Sequence, residues 1–234
     1  MTMRSPAEVK WLLALDTSTD RASAALTDGR RVAELSWDAR RNQTATLLSA
    51  VDQLMTLEGV GLGEVSAIAV ATGPGAFTSL RVGLSTAKGL AFARGLPLIG
   101  VPTLDGAARP FAETGLETIA VIAAGRGRLA WARYGPREGG WSQLVAPRNG
   151  DITVMAAEIE RHGRRPYITG ELNEEQAVSI RRVGGIVPPV MLRERRVAGL
   201  VTIAWERFSR GEFDDAVSLV PMYLHAASAA SDPI

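Results

Sequence analysis

Asp16-Thr17-Ser18-Thr19 puts a carboxylate and three hydroxyls in four consecutive residues, directly after the apolar run at 11–15. A carboxylate can hold a hydrated metal ion, and hydroxyls with backbone N–H groups can hold a phosphate. In open α/β sheets, strand ends of this kind face the ligand crevice. Taken alone, the four residues read more simply as a Ser/Thr turn in which the Asp satisfies backbone donors. A second stretch, Gly73-Pro74-Gly75-Ala76-Phe77-Thr78-Ser79-Leu80-Arg81-Val82-Gly83, joins an apolar run at 65–71 to a helical pattern. Its glycines allow close backbone approach, and the helix start favours an anion. Gly73, Gly75, Thr78 and Arg81 therefore join Asp16, Thr17, Ser18 and Thr19 as candidates for an anion or nucleotide loop. The Gly-Lys-Ser/Thr ending of a phosphate loop is missing. Phe77 fills the room a nucleotide would need, and Arg81 opposes the helix dipole, so it calls for a carboxylate or backbone partner.

The second half of the chain offers little to pair with these loops. Ile122-Ala123-Ala124-Gly125 carries no carboxylate, and Glu171 after Gly170 reads as a charged loop residue. There is no cysteine, and the only histidines are His162 and His225. Disulfides, thiolate nucleophiles and cysteine-based metal sites are excluded, and a zinc or iron site needing two or more histidines from this chain alone is not expected. Formal net charge is +1, so no global field draws the chain to nucleic acid or membrane. Only Lys10 and Lys88 are lysines. Arg126, Arg128 and Arg133, and separately Arg161, Arg164 and Arg165, could meet phosphates but read as solvated surface in so arginine-rich a chain. No apolar run reaches membrane-spanning length, and residues 1–10 lack a signal-peptide core, so the expectation is a soluble cytoplasmic protein.

The positioning elements follow from the apolar pattern. Short strand-like runs at 11–15, 22–26 and 32–37, the last two split by Asp28-Gly29, predict an antiparallel meander. Leu47, Leu48, Val51, Leu54 and Met55 at helical spacing predict a helix over 45–58, capped by Asn42 or Thr44 and stopped by Gly59. A strand at 65–71, a helix at 79–94, a strand at 98–101 and a short helix at 104–112 complete a β-β-β-α-β-α-β-α lobe. After a boundary near 113–117 the pattern partly restarts: strands at 118–123 and 129–134, loops at Gly135-Pro136 and Gly139-Gly140, helix 151–162, strand 166–169, and helices near 173–182 and 194–209. The tail at 226–234 reads as small, polar and frayed. This order gives an α/β protein with mixed sheets flanked by helices. The expected lobes are residues 1–113 and residues 114–234, the second with a degenerate ligand site.

With the 16–19 and 73–83 motifs, Ala87-Lys88-Gly89-Leu90-Ala91, Leu98-Ile99-Gly100-Val101-Pro102-Thr103-Leu104 and Pro221-Met222-Tyr223-Leu224, the chain closely resembles the TsaB (YeaZ) family, most strongly over residues 11–108. The resemblance implies the two-lobed actin/hexokinase-like (ASKHA) fold. It also implies a non-catalytic subunit in synthesis of N6-threonylcarbamoyladenosine (t6A) at position 37 of tRNA. That subunit would bind and activate a TsaD-like transferase as a heterodimer, chiefly through the two helices of its first lobe, with a TsaE-like ATPase docking on the assembly. Asn42-Gln43-Thr44 stands where the catalytic paralogue has metal-binding histidines, and amides are poor ligands for a catalytic metal. TsaB relatives often keep one histidine there, and usually show Asp-Ala-Arg where this chain has Ala124-Gly125-Arg126.

The expected partner face is Leu47, Leu48, Val51 and Met55 of the first helix with Gly83, Ala87, Leu90 and Ala91 of the second. Small residues around that second helix suit close helix approach, and each internal glycine costs about 1 kcal/mol against alanine. Gly83→Leu or Ala87→Arg would then abolish assembly. The same apolar helices suit a homodimer when the partner is missing. No catalytic residue, metal or cofactor is expected of the chain itself; ATP or ADP at the partner interface stays open, and tRNA is met indirectly through the complex. The rival readings are an independent ATP-dependent phosphotransferase and a metallopeptidase of the same fold, and both lack the residues they need.

Overall fold

In the computed structural model, which describes residues 10–40, 42–125 and 127–224, β1 (Trp11–Asp16) is buried along its whole length. Its alternating side chains serve two cores at once. Leu13 and Leu15 join one cluster, while Leu12 and Ala14 join another on the opposite face. β2 (Arg21–Thr27) and β3 (Val32–Asp38) follow as an antiparallel meander, turned at Asp28-Gly29 with Gly29 at φ 82°. Then come α1 (Gln43–Glu58), β4 (Val65–Gly73), α2 (Phe77–Arg94), β5 (Leu98–Pro102) and α3 (Thr103–Ala108), the last running on as a 3₁₀ turn to Thr114. The sheet order is β3-β2-β1-β4-β5, with β1, β4 and β5 parallel.

β6 (Thr118–Ala123), β7 (Leu129–Arg137), β8 (Gly140–Gly150), α4 (Ile152–His162), β9 (Tyr167–Gly170), α5 (Glu174–Arg182), α6 (Val190–Arg193) and α7 (Ala198–Ser209) complete the chain. The second sheet runs β8-β7-β6-β9, with β6 antiparallel to β7 and parallel to β9. β8 was not expected. Gly139-Gly140 is the tip of a hairpin, Gly135-Pro136 lies inside β7, and Pro147 is tolerated because β8 is the edge strand.

The chain crosses between sheets near residue 114 but does not stay with the second one. Leu200, Val201 and Ala204 of α7 pack on Leu12, Ala14, Ala67 and Ala69, covering the face of the first sheet that α1 and α2 leave bare. A lobe of residues 114–234 therefore lends its last helix to the first. α7 also starts at Ala198, later than the expected 194, because residues 193–196 turn alternate arginines inward. The tail at 226–234 lies outside the described residues.

On the α1–α2 face, Leu47, Val51 and Leu54 meet Leu84, Ala87 and Ala91 over β1 and β4. Gly83 has a specific reason to lack a side chain: a Cβ there would sit 2.3 Å from Thr17 Oγ1. Gly89, by contrast, has open space around it. Gly83→Ala is expected to destabilise by about 1–3 kcal/mol through overpacking. Gly89→Ala in the same helix is expected to stabilise by about 1 kcal/mol. Urea unfolding midpoints of the two variants check the opposite signs.

Candidate functional site

The strand-end residues at 16–19 are all buried, and protein groups already occupy them. Asp16 ends β1, and its Oδ1 accepts from the Ser18 N–H at 2.9 Å and the Ser18 hydroxyl at 2.6 Å. Thr17 donates to the Ser79 carbonyl on the first turn of α2 at 2.6 Å. Thr19 donates to Glu171 Oε1 at 2.7 Å, and Gln43 Nε2 closes the turn by donating to the Thr19 carbonyl at 3.2 Å. Gln43, at the start of α1, is thus a buried structural amide.

Sequence reasoning missed the side chain at the centre. Arg195, in the link between α6 and α7, is 3% exposed and pairs through Nη1 with Asp16 Oδ2. Its Nη2 donates to Thr19 Oγ1 at 3.0 Å, the Arg21 carbonyl at 3.3 Å and Glu171 Oε1 at 3.3 Å. Burial pushes its pKa down to about 10, so it remains a cation at neutral pH. Glu171, at the end of β9, also accepts the Ala123 N–H at 3.2 Å. Loss of water pushes its carboxyl above the usual carboxylate range, against the opposing pull of the Thr19 hydroxyl and the Ala123 amide. Glu171 was the one candidate carboxylate of the second half, read as a charged loop residue, and Arg195 did not stand out in the sequence. Arg193-Glu194-Arg195-Arg196 carries four charges in a row, yet Arg193 and Arg195 are both buried. Arg193 donates to the Leu172 carbonyl at 2.7 Å.

The 73–83 loop is held from two sides. Gly75 lies against Ser18, where a Cβ would fall 2.3 Å from the Ser18 carbonyl, and the Ala76 N–H donates to that oxygen at 2.7 Å. The Gly73 N–H donates to Thr103 Oγ1 at 3.1 Å. On the other side, the Met222 N–H donates to the Thr72 carbonyl at 2.6 Å. Among the described residues, Arg81 does not find the expected carboxylate or backbone partner. Its guanidinium lies 3.7 Å over the Phe77 ring, and Nε donates to the Tyr223 hydroxyl at 3.1 Å. The structure therefore brings residues 16–19 together with Gly73 and Gly75. It leaves Thr78 exposed on the first turn of α2 and turns Arg81 toward the 221–224 segment. Arg133 and Arg164 both pair with Glu117, and Arg126 lies outside the described residues.

The expected partner face divides. Leu47, Val51, Gly83, Ala87 and Ala91 are buried against the sheet, so they are unavailable to a partner, and Gly83→Leu or Ala87→Arg would disrupt the fold first. Leu48 is 55% exposed and, with Met55 and Leu90, lines a groove of about 460 Å³ between α1 and α2. Among the described residues no cluster of three or more His, Cys, Asp or Glu side chains could hold a metal ion, and no helix is long and apolar enough to cross a membrane.

A family model described as TsaD, tRNA N6-adenosine threonylcarbamoyltransferase, matches residues 37–148. The tRNA threonylcarbamoyladenosine biosynthesis protein TsaB of Escherichia coli K12 is 37% identical over 167 residues, 68% of each chain. The chain belongs to the TsaB family. The TsaB of Haemophilus influenzae is 41% identical over 98 residues, 42% of each chain. A tRNA N6-adenosine threonylcarbamoyltransferase of Geobacter sp. M21 is 38% identical over 112 residues, 41% of this chain and 33% of that enzyme. Among solved structures, YeaZ from Pseudomonas aeruginosa superposes with a TM-score of 0.71 at 27% identity, covering 92% of this chain and all of that one. A Bacteroides thetaiotaomicron protein described as having an actin-like ATPase fold matches with a TM-score of 0.51 at 10% identity, a likeness of fold alone. The fold is thus the actin/hexokinase-like one, in a TsaB-family chain of tRNA threonylcarbamoyladenosine biosynthesis.

Removing Asp16 would leave the Arg195 guanidinium dry and short of its main counter-charge. Asp16→Ala is expected to cost about 3–5 kcal/mol, whereas Asp16→Leu with Arg195→Met should recover most of that loss. Urea denaturation of the two variants measures the difference.

Proposed function

We propose that the chain is a non-catalytic subunit that binds and activates a TsaD-type transferase as that enzyme forms t6A at position 37 of tRNA. The observation that carries this reading is Arg195 in the crevice. A side-chain cation holds Asp16 and Glu171 where a phosphotransferase would keep room for its nucleotide, and the hydroxyls of Thr17, Ser18 and Thr19 all face protein partners. The exposed side of α1 and α2 supports the partner role. Leu48 stands free beside the groove, and Gly89 leaves the backbone of α2 open to close approach, at the cost a bare helix glycine carries. A TsaE-type ATPase on the assembled pair, a nucleotide at the joint interface, and tRNA contact through the transferase belong to the same reading. In the absence of the transferase, the groove suits a second copy of the chain.

Co-expression with the TsaD-type protein of the same source tests this. The two chains are expected to co-purify, and threonylcarbamoylation of tRNA should need both, while the chain alone turns over no ATP. Robust ATP turnover by the chain alone would sink the proposal. Leu48→Glu and Gly89→Arg, neither of which crowds the core, should abolish the pair without lowering the melting temperature. A pair that forms unchanged with both variants places the interface elsewhere.

A further inference from the structure

We propose that Arg195 is a latch between the two lobes, an internal cation tying the strand ends of both sheets together. Its first-lobe partners are Asp16, Thr19 and the Arg21 carbonyl, and its second-lobe partner is Glu171. Glu171 in turn accepts from Thr19 in one lobe and from the Ala123 amide in the other. One guanidinium and one carboxylate thus cross-link the turn after β1 to the ends of β6 and β9.

Beside the latch, Arg21 pairs with Glu194 and Arg196 with Glu34, both at 2.7 Å and partly exposed, but neither pair reaches the second sheet. The contact on the other side differs in kind. Along α3, Leu104, Ala107 and Ala108 pack on Ala120, Ile122 and Tyr134, and the Tyr134 hydroxyl donates to Asp105 at 2.6 Å. Apolar packing has no single bond that must break as two surfaces roll on each other. The latch behaves otherwise, because the buried Asp16 carboxylate and the mostly buried Glu171 carboxylate repel each other once the guanidinium between them is gone. Without the guanidinium, water must enter to solvate Asp16 and Glu171, and the crevice widens to admit it. α3 is therefore the hinge side of the molecule and Arg195 the mouth side. The latch concerns motion between the lobes, so its failure would leave Arg195 in the crevice, and the partner reading that rests on it, untouched.

The absence of cysteine makes the test direct, since two introduced thiols carry the only labels. Spin labels at Gln53→Cys on α1 and Glu175→Cys on α5, both exposed, report the lobe separation by pulsed electron resonance. The otherwise unaltered chain should give one narrow distance. Arg195→Ala should lengthen and broaden it, and millimolar methylguanidinium should restore it where equal sodium chloride does not. Glu171→Met keeps the Arg195–Asp16 pair and so leaves the first lobe intact. It should broaden the distance in the same way and gain nothing from methylguanidinium. An unchanged distance in either variant overturns the latch, as does a broadening in Arg195→Ala that methylguanidinium cannot reverse. If Arg195→Ala does not fold, the Glu171→Met distance alone decides.

Discussion

Dehydrating a guanidinium costs several kcal/mol, and the Arg195 side chain is almost fully out of water. Attraction to Asp16 and Glu171 and hydrogen bonds from Nη1 and Nη2 must offset that cost. This constraint reaches far along the chain. It requires Asp16 at a strand end buried on both faces, Thr19 turned toward the second sheet, and Glu171 lifted by β9 to the same height. It also requires the link before α7 to stay non-helical so that Arg195 can turn inward. The place between the strand ends is held here by the protein's own charge.

Much of this was legible in the sequence, and the rest failed for identifiable reasons. Continuous apolar runs located β1, β4 and β5 because buried parallel strands carry no alternation to confuse. Helical spacing located α1, α2 and α4, with Gly59, Gly95 and Gly163 as left-handed ends. β8 was hidden because an exposed edge strand with a proline and paired glycines has the composition of a loop. Asp16 through Thr19 stood out by residue type, but their partners did not. Glu171 and Arg195 are ordinary charged residues in ordinary-looking segments, and they lie 155 or more positions from Asp16, separations that no local pattern encodes.

α2 shows how one helix answers two demands. Its small residues look alike in the sequence, yet Gly83 is forced by Thr17 Oγ1, Ala87 and Ala91 fill the core, and a side chain at Gly89 would meet open space among the described residues. Only three-dimensional placement separates the glycine the fold needs from the one it merely tolerates. Composition could suggest that close approach mattered; it could not say on which side.

The return of α7 to the first sheet has a consequence for biosynthesis. β1 through β5 are complete by Pro102, but one face of that sheet stays bare until Ala198–Ser209 has been made, and the loop after β4 waits for Met222 and Tyr223. At about 5–20 residues per second, the roughly 100 intervening residues keep the ribosome busy for on the order of 5–20 s. For that interval a half-covered apolar sheet emerges into the cell. The first lobe is therefore first in the chain and among the last parts to be finished, which makes the nascent protein a natural client for chaperones that shield apolar surface.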